Sequence, residues 1–498
     1  MKTIQELCAK IQGVYTLQGN ETGVITGIVA DSREVEKGNL FVCVAGTHVD
    51  GGDFAIQAIE KGAIAVLTAK PLALPSTITQ IVVPDVHVAV EQMVPYFYDY
   101  PGKKMRMIGV TGTNGKTTTT HMIAHMLRMA GHHVGVLGTI HALLDDEELP
   151  IHNTTPDVVE LQRFLSWMYD KGMTHVVMEV SSHALALHRV AGIEFDTAVF
   201  TNLTQDHLDF HKTMERYVAA KAELFRGLTE NREKKQGKTA IINVDDEWAQ
   251  QILDACGTAK VLTYGIEQKA DLRGENVRVE LKKASFTVQG NFVNASLEMP
   301  VTGMFNVYNT LAAMGAAHAE GVDTEVIEQA VRNFHAVPGR FELVEAGQDF
   351  AIVVDYSHTP DSLEKALVTA RALNPQRVLV VFGCGGDRDR TKRPIMGRIA
   401  AQHADISIVT SDNPRSEDPE TIVKEIEVGV KEAITAGKTY KVIVDRRKAI
   451  QKAVGLARSG DIIIIAGKGH ETYQILCDKT IHFDDREEAR QAVLALKR

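Results

Sequence analysis

The sequence predicts an α/β protein of three domains, on three observations. Its 498 residues exceed the about 100–200 residues of one ordinary domain. Short apolar, β-branched runs alternate with helical patterns, which is typical of parallel sheets flanked by helices. Proline and glycine interrupt this alternation at Tyr100-Pro101-Gly102 and at Pro338-Gly339. We therefore predict domains over residues 1–100, 101–337 and 338–498.

Each predicted domain has its own set of strand patterns. In the first domain, a helical stretch (DFAIQAIEKG) stands among the runs GVITGIVADS, NLFVCVAG and GAIAVLTA. In the second, a long helical pattern (TTTTHMIAHMLRMAG) separates MRMIGV from HVVMEV and DTAVFTNL. The third domain alternates helices with FAIVVDYS, RVLVVFG, DISIVTS and DIIIIAGKG, which predicts a Rossmann-like parallel sheet.

The composition is that of an ordinary globular protein, with 44% hydrophobic and 24% charged residues. A net charge of -10 argues against an extended nucleic-acid-binding face. The N-terminus lacks the apolar core of a secretory signal, and no segment approaches about 18 uninterrupted apolar residues. Five scattered cysteines without a CxxC pair indicate reduced thiols. We expect a cytoplasmic monomer that acts on small molecules.

A glycine- and threonine-rich loop opens the second predicted domain. The run MRMIGV leads directly into it and a helical pattern follows, which is the layout of a phosphate cradle. Lys116 can reach the β- and γ-phosphates of a nucleotide, and Thr117 can bind magnesium. The predicted nucleotide-binding residues are Gly112, Thr113, Asn114, Gly115, Lys116, Thr117 and Thr118.

One position departs from the strict P-loop spacing, because Val110 stands where the first glycine belongs. A glycine-rich turn between a strand and a helix also occurs in proteins that bind no nucleotide. The succession Gly-Lys-Thr-Thr in this setting favours the nucleotide-binding interpretation. We therefore predict a central P-loop ATPase domain.

Acidic and histidine side chains follow two further strands of this domain. Glu179 ends the run HVVME, where the edge of a parallel sheet binds ligands, and its carboxylate suits magnesium. His207 and His211 lie four residues apart, the spacing of a zinc pair on a helix. No HExxH glutamate and no nearby third ligand accompanies them. Taken alone, the two histidines are better interpreted as core or surface residues than as zinc ligands.

Several motifs make the chain similar to the Mur ligase family. GTNGKTT is the phosphate-loop form of this family and of the related folylpolyglutamate synthetases, while EVSSH and TNLTQDHLDFH match the family's central domain. At least seven separated motifs occur in family order over all three domains. The resemblance implies an ATP-dependent ligase in which Glu179, His207 and Thr117 bind Mg²⁺.

The same resemblance implies roles for a lysine and for five residues near the second boundary. Lys221 in the motif AAK, alone a typical surface lysine, would react with carbon dioxide to form a carbamate (N6-carboxylysine) that orients magnesium. The motifs NxxN, PGRxE and DYxHxP would surround the nucleotide, although asparagines at helix starts are often caps. The third domain would then close over ATP bound to the second. The residues concerned are Asn306, Asn309, Arg340, Asp355 and His358.

The resemblance also implies a binding site for a uridine nucleotide that carries a muramoyl peptide. Asp31-Ser32-Arg33 and Thr47-His48-Val49 match positions that hold the uridine nucleotide, although their spacing alone marks them only as loop residues. The muramoyl peptide would contact Asn153, Thr154, Thr155, Ser181 and Arg189. Leu187 stands where relatives carry Gln, which removes one polar contact.

A turn-forming segment, SDNPRSEDP, carries the prediction of acceptor specificity. Asp, Asn and Pro favour turns, so a plain turn is the alternative. In the family, DNPR marks members that select meso-diaminopimelate. The distal end of diaminopimelate carries a carboxylate that lysine lacks, and a guanidinium group can pair with this carboxylate bidentately. The resemblance assigns this site to Asp412, Asn413, Pro414 and Arg415, with Arg388, Gly467 and Glu471.

The implied reaction joins meso-diaminopimelate to the D-glutamyl side chain of UDP-N-acetylmuramoyl-L-Ala-D-Glu through an acyl phosphate, in peptidoglycan synthesis. One alternative is the same reaction with L-lysine as acceptor, which Arg415 argues against. A folylpolyglutamate synthetase is a second, disfavoured because it has no use for the DSR, NTTP and DNPR segments. A nucleotide-gated binding protein without amide product is the third.

Overall fold

A computed structural model of the chain describes residues 1–44, 50–144, 147–149, 151, 153–229 and 237–496. These residues form two compact units. The first unit comprises Met1–Leu203, His207–Asp271 and Ala312–Ile327, and the second comprises Thr204–Asp206, Leu272–Leu311 and Glu328–Arg498. The three predicted domain ranges stay predictions.

The N-terminal part of the first unit is a small sheet with helices packed on it. Its elements are β1 (Lys2–Thr3), α1 (Ile4–Cys8), β2 (Thr16–Gln18), β3 (Val24–Ile25), β4 (Gly27–Val29), β5 (Asn39–Val42), a 3-10 turn (Gly51–Phe54), α2 (Ala55–Glu60), β6 (Ala65–Thr68), β7 (Thr79–Val82) and α3 (Val86–Phe97). The strand order is β2-β7-β6-β5-β4, and all but β2 are parallel. The small α/β unit predicted here is confirmed.

The rest of the first unit is a larger sheet with helices. Its elements are α4 (Pro101–Lys104), β8 (Arg106–Thr111), α5 (Lys116–Met129), β9 (Val134–Leu137), β10 (Ala142–Leu144), β11 (Glu147–Leu149), α6 (Val158–Asp170), β12 (His175–Glu179), α7 (Ser182–Ala186), β13 (Thr197–Phe200), α8 (Leu208–His211), α9 (Met214–Arg226), β14 (Thr239–Asn243), α10 (Ala249–Ala255) and β15 (Lys260–Gly265). The order is β11-β10-β9-β12-β8-β13-β14-β15.

Strand β8 lies between β12 and β13 and runs parallel to both. Ile108 faces Val177 on one side and Thr197 on the other. The strands are buried along their length, as expected for a parallel sheet that is covered on both faces. The three strands therefore end at one edge of the sheet, where ligands bind in such folds.

The second unit contains three strands that pair antiparallel and a six-stranded sheet, and helices α11 and α12 contribute to both units. Its elements are β16 (Leu272–Val279), β17 (Ala284–Gly290), β18 (Asn294–Met299), α11 (Met304–Ala319), α12 (Thr324–Asn333), β19 (Glu342–Leu343), β20 (Ala351–Asp355), α13 (Pro360–Ala372), β21 (Val378–Phe382), α14 (Lys392–His403), β22 (Ile406–Val409), α15 (Pro419–Ala433), β23 (Thr439–Val442), α16 (Arg446–Leu456), β24 (Ile462–Ala466), β25 (Tyr473–Leu476), β26 (Lys479–His482) and α17 (Asp485–Leu496).

The six-stranded sheet has the order β19-β20-β24-β21-β22-β23, and only β19 is antiparallel. Each of the four predicted strands of this region is confirmed. The loops after β20, β21, β22 and β24 leave the same edge of the sheet, because parallel strands end together. The loops after β21, β22 and β24 carry every residue that was assigned to the amino-acid acceptor.

The antiparallel strands β16–β18 and the hairpin β25–β26 were not among the predicted strands. Their burial alternates or is slight, so they lack the continuous apolar runs that mark the parallel strands. All five cysteines are free thiols. Within the described ranges, no helix has the length and apolar character needed to cross a membrane.

Candidate active site

The phosphate loop (residues 111–118) connects β8 to α5, so the predicted strand, loop and helix are confirmed. Gly112 and Gly115 have φ of +150° and +85°. A Cβ at Gly112 would lie 1.9 Å from Thr201 Oγ1, so no side chain fits there. Lys116 Nζ donates to two carbonyls of the loop, 2.8 and 3.0 Å away. The ammonium is thereby held against the backbone of the loop.

The end of β13 anchors the phosphate loop. The N–H of Thr113 donates to the carbonyl of Asn202 at 2.8 Å, and Thr201 Oγ1 donates to the carbonyl of Asn114 at 2.7 Å. Thr117 and Thr118 are buried in the first turn of α5. The first N–H groups of this helix lack partners within the helix, which suits an anion.

Glu179 is a buried carboxylate at the end of β12, with 1% of the residue exposed. Its Oε1 accepts a hydrogen bond from the N–H of Thr139 at 2.8 Å, and its Oε2 accepts one from the Thr139 hydroxyl at 3.1 Å. The Thr139 hydroxyl also lies 3.1 Å from the Thr154 hydroxyl. No cationic side chain pairs with Glu179 in the described part of the chain.

Most residues assigned to the muramoyl peptide meet beside Glu179. The Thr155 hydroxyl donates to the Glu179 carbonyl at 2.9 Å and accepts from the N–H of Ser181 at 3.0 Å. Arg189 donates to the Thr155 carbonyl at 3.1 Å. Asn153 is exposed. The structure thus brings together predicted residues that lie more than thirty positions apart in sequence.

His207 lies in a group of aromatic rings. It precedes α8 with φ +54°, and its ring centroid is 4.7 Å from that of His183. Burial lowers the pKa of His183, and the neighbouring rings of His207 and His211 lower it further, to about 4. Among residues with described side chains, no group of three or more His, Cys, Asp or Glu is arranged to hold a metal.

Lys221 is buried in α9 with 1% of the residue exposed, so the surface interpretation of this lysine is wrong. Its Nζ donates to the carbonyl of Gly112 at 2.8 Å. The same atom lies 4.6 Å from the centroid of the Tyr217 ring. The amine therefore touches the phosphate loop itself.

The residues assigned to the uridine nucleotide are only partly described. Ser32 is buried and donates to Gln57 Oε1 at 2.8 Å. Thr47, His48 and Val49 lie outside the described residues. Leu187 caps the C-terminus of α7 with 47% of its surface exposed.

In the second unit, the residues that were predicted to contact the nucleotide lie in two groups. Asn306 and Asn309 are buried in α11 and are hydrogen-bonded to each other at 3.2 Å, and Asn306 also donates to the Thr302 carbonyl. The guanidinium of Arg340 lies 4.7 Å from the centroid of the Tyr356 ring.

The strand end that precedes Tyr356 organises the second of these groups. Asp355 accepts a hydrogen bond from the N–H of Phe341 at 2.8 Å and one from the hydroxyl of Ser357. The ring of His358 lies 4.6 Å from that of Tyr356. Asp355, His358 and Arg340 are therefore brought together around one tyrosine that the sequence analysis did not single out.

The loops after β21, β22 and β24 bring together the residues assigned to the acceptor. Arg415 has φ +52° and its Nη1 donates to the Gly386 carbonyl at 2.8 Å. A Cβ at Gly386 would lie 1.8 Å from the Pro414 carbonyl oxygen, so these loops touch through backbone. We call the following set the Arg415 cluster: Arg388, Asp412, Asn413, Pro414, Arg415, Gly467, Lys468 and Glu471.

Two contacts join the Arg415 cluster to the loop after β24. Asn413 Nδ2 donates to Glu471 Oε2 at 2.8 Å. A Cβ at Gly467, where φ is +119°, would lie 2.4 Å from Asp412 Oδ2. The Arg388 guanidinium donates to the carbonyl of Asp387 at the exposed side of the cluster. All seven residues predicted for the acceptor are therefore in one place.

The sequence analysis missed two residues that the geometry makes prominent. Thr139 contacts both Glu179 and Thr154, but it follows β9 without any motif. Lys468 is fully buried between Asn413 and Glu471. A lysine two residues after a run of four isoleucines and an alanine was a usable signal, because a charge just beyond the end of a buried strand lies at the ligand-binding edge.

Comparison with known proteins defines the class to which this fold and site belong. The chain matches the Mur ligase family catalytic domain over residues 24–101, the Mur ligase middle domain over 110–317 and the Mur ligase glutamate ligase domain over 339–469. The chain belongs to the Mur ligase family and has its three-domain fold. It is an ATP-dependent ligase.

Similar curated proteins come from several bacteria. A UDP-N-acetylmuramoyl-L-alanyl-D-glutamate--2,6-diaminopimelate ligase of Geobacillus thermodenitrificans is 46% identical over 491 residues, which are 98% of this chain and 99% of that protein. The protein of the same name from Syntrophomonas wolfei is 46% identical over 467 residues, 94% of each chain.

Solved structures have the same fold. One named UDP-N-acetylmuramoyl-L-alanyl-D-glutamate--2,6-diaminopimelate ligase superposes with a TM-score of 0.68 at 34% identity, covering 100% of this chain and 99% of that one. A MurF ligase of Thermotoga maritima in complex with ADP has a TM-score of 0.62 at 18% identity, covering 94% and 96%. At that identity the second likeness concerns the fold alone.

Proposed function

We propose that this ligase joins meso-2,6-diaminopimelate to the D-glutamyl side-chain carboxylate of UDP-N-acetylmuramoyl-L-alanyl-D-glutamate in cytoplasmic peptidoglycan synthesis. The Arg415 cluster carries the proposal, because it holds a guanidinium and a carboxylate on touching loops. The distal carbon of diaminopimelate bears a carboxylate and an ammonium group. Arg415 complements the carboxylate, which L-lysine lacks, and Glu471 complements the ammonium group. The names of the similar ligases support the same acceptor.

The chemistry requires activation of the carboxylate. ATP transfers its γ-phosphoryl group to a D-glutamyl oxygen, which yields an acyl phosphate and ADP. The neutral amine of diaminopimelate attacks the acyl carbon, and the C–O bond to phosphate breaks as the tetrahedral intermediate collapses to the amide. The departing phosphate takes up the proton that the amine loses. Lys116 and the N–H groups of the phosphate loop neutralise charge on the transferring group, which is where phosphoryl transfer gains most of its rate.

The donor set around the phosphate loop fits magnesium. Burying the Glu179 carboxylate without a cation is costly, and a metal ion would offset that cost. Thr117, Glu179 and His207 would hold Mg²⁺, which neutralises phosphate charge when bound. Lys221 is buried, and burial favours the uncharged amine that carbamylation needs, so we assign the N6-carboxylysine to it.

The remaining predicted residues are assigned to the two nucleotides. Asn306, Asn309, Arg340, Asp355 and His358 contact ATP, in keeping with the grouping of the last three around Tyr356. The hydrogen-bonded group of Thr154, Thr155, Ser181 and Arg189 binds the muramoyl dipeptide, together with Asn153. Ser32, Thr47, His48 and Val49 bind the uridine nucleotide.

One reaction tests both the class of acceptor and the specificity. The protein is incubated with ATP, Mg²⁺, UDP-N-acetylmuramoyl-L-Ala-D-Glu and equal amounts of meso-diaminopimelate and L-lysine. The products are then identified by mass spectrometry. The diaminopimelate adduct is expected to dominate, with one ADP released per amide. A dominant lysine adduct, or ADP release without any amide, would contradict the proposal.

A further inference from the structure

Lys468 has the position of a buried structural support within the Arg415 cluster. It follows β24 by two residues, and no part of it is exposed. Its Nζ lies 3.0 Å from Glu471 Oε2, 3.1 Å from Asn413 Oδ1 and 3.9 Å from Asp412 Oδ1. One ammonium group thus bridges the loop after β22 and the loop after β24.

The amide of Asn413 completes this arrangement. Its Nδ2 donates to the same Glu471 oxygen at 2.8 Å, and its Oδ1 accepts from the N–H of Ile475 at 3.0 Å as well as from Lys468. Glu471 Oε2 therefore accepts two hydrogen bonds. Its Oε1 accepts none from the described residues, and 14% of the Glu471 side chain is exposed. One carboxylate oxygen is held in place while the other remains available to a ligand.

The charges of this group do not balance without a ligand. Asp412 and Glu471 are two carboxylates that share one ammonium group, that of Lys468. The nearby guanidinium of Arg446 is paired with Asp485 at 2.6 Å, and neither of their side chains is exposed, so this pair adds no net charge. Asp412, Glu471 and Lys468 together therefore carry one net negative charge, which the ammonium group of an amino acid would neutralise, while Arg415 remains for its carboxylate.

We propose that Lys468 is a positioning residue of the acceptor site, whose buried ammonium group orients Glu471 and keeps its carboxylate ionised for the ammonium group of the amino acid. This inference rests on the proposed function for the identity of the acceptor. Lys468 does not touch the amino acid; it acts through Glu471 and Asn413. Without it, the buried carboxylate of Asp412 and the partly buried carboxylate of Glu471 would lie close together with no shared cation, which favours protonation of one of them.

The pKa of Glu471 should depend on Lys468, so this role can be tested through the dependence of acceptor binding on pH. Burial raises the pKa of Glu471 and Asp412 raises it further, whereas Lys468 and Asn413 lower it. The phenols of Tyr356 and Tyr473 and the guanidinium of Arg446 also interact with Glu471, while His470 packs on Tyr356 and Arg415 acts on Tyr473. Burial raises the pKa of Tyr473 and raises the pKa of Tyr356 to about 12, and the guanidinium of Arg446 keeps its charge. None of these three side chains therefore titrates between about pH 6 and pH 9. Loss of Lys468 would move the ionisation of Glu471 upwards towards that interval.

The first test is Lys468→Met in the full chain, with the KM for the acceptor and the KM for ATP measured across that pH interval. At neutral pH the acceptor KM should rise by about tenfold or more, because a buried charged hydrogen bond is lost. It should then fall as the pH rises and Glu471 ionises, while kcat and the KM for ATP stay near those of the wild type. Lys238→Met is the matched control, since Lys238 is an equally buried lysine paired with Asp196 at 2.8 Å in the first unit. It should lower stability and leave the acceptor KM and its pH dependence unchanged.

A second pair of variants covers a failure of Lys468→Met to fold. Asp412→Asn alone is compared with Asp412→Asn combined with Lys468→Met, which restores the net charge of the wild-type group. The double variant should have a higher acceptor KM than Asp412→Asn, with a stronger dependence on pH. Equal acceptor KM values and equal pH profiles within either pair of proteins would overturn the inference. If the wild type uses another amino acid, the proposed function fails, and the same comparison is made with that amino acid, whose ammonium group Glu471 would bind.

Discussion

The phosphate loop and the Arg415 cluster both lie at the carboxyl ends of parallel strands, yet they are assembled differently. The phosphate loop is one contiguous segment between β8 and α5, and Lys116 bonds to carbonyls of that same segment. The Arg415 cluster is built from three loops after β21, β22 and β24, and its contacts join residues more than fifty positions apart. The first site is a local motif, whereas the second depends on the order of the strands.

This difference predicts how each site responds to substitution. A contiguous loop depends on its own glycines and its lysine, so the large effects there come from residues inside the motif. A site made from several loops depends also on buried groups that hold the loops together. Four experiments, from the largest expected effect to the smallest, test this contrast.

Lys116→Met should have the largest effect. The ammonium group of Lys116 is held on the phosphate loop, where it neutralises charge on the transferring phosphoryl group, so ADP release with all substrates present should fall about 10³-fold or more. Lys10→Met is the control, because Lys10 lies over the ring of Tyr96. Its activity should equal that of the wild type. Near-normal turnover by Lys116→Met would contradict the proposed role of the phosphate loop in phosphoryl transfer.

Arg415→Ala should reduce the preference for diaminopimelate over L-lysine, since an unpaired acceptor carboxylate at a desolvated site costs about 2–5 kcal/mol. Arg415→Lys should have a smaller effect, because it keeps the charge but loses the bidentate geometry. The preference is measured in a competition assay with both amino acids. Arg398→Ala, which breaks a surface pair with Glu432, is the control. An unchanged preference in Arg415→Ala would refute the role of the guanidinium.

Removal of dissolved carbon dioxide should lower the activity of the wild type about 10–100-fold, the range for groups that orient a bound metal. Added bicarbonate should restore it. Lys221→Ala should be as inactive as the depleted enzyme and should not respond to bicarbonate. Initial rates of ADP release at several bicarbonate concentrations measure both. A wild-type rate that is independent of bicarbonate would contradict the carbamate.

Glu417→Gln should have the smallest effect, on stability. Hydrogen bonds from the Arg393 guanidinium lower the pKa of Glu417 to about 2, below its unfolded value, so the ionised group stabilises the fold above the unfolded pKa. The variant should lose about 1 kcal/mol at neutral pH, because the pair is partly solvated. The difference should disappear as the pH falls from about 5 to about 2.

Denaturant unfolding at a series of pH values measures this loss. Glu432→Gln is the matched control, since its surface pair with Arg398 leaves both side chains about half exposed. It should change stability little at any pH. A constant difference between wild type and Glu417→Gln across the acid range would mean that the ion pair does not support the loop after β22.

Most of the parallel strands could be predicted from sequence, because each is a short, continuous apolar run. The antiparallel strands β16–β18 could not, since their alternating burial leaves no such run. The strand, the loop and the helix of the phosphate loop could also be predicted from sequence. Thr139 could not, because its contact with Glu179 joins two strands that are neighbours in space and forty residues apart in the chain.

Local chemistry, and therefore the sequence by itself, determined the phosphate loop: glycines that adopt positive φ, a lysine and a helix start occur within eight residues. The assignment of Arg415 to a second carboxylate came from the resemblance to the Mur ligases and stays a prediction. Only the tertiary structure decided that Lys221 and Lys468 are buried, and that Lys468 shares its charge between two loops. The physical reason is that burial and charge pairing depend on which strand ends are neighbours, and that order is set by the packing of the whole sheet.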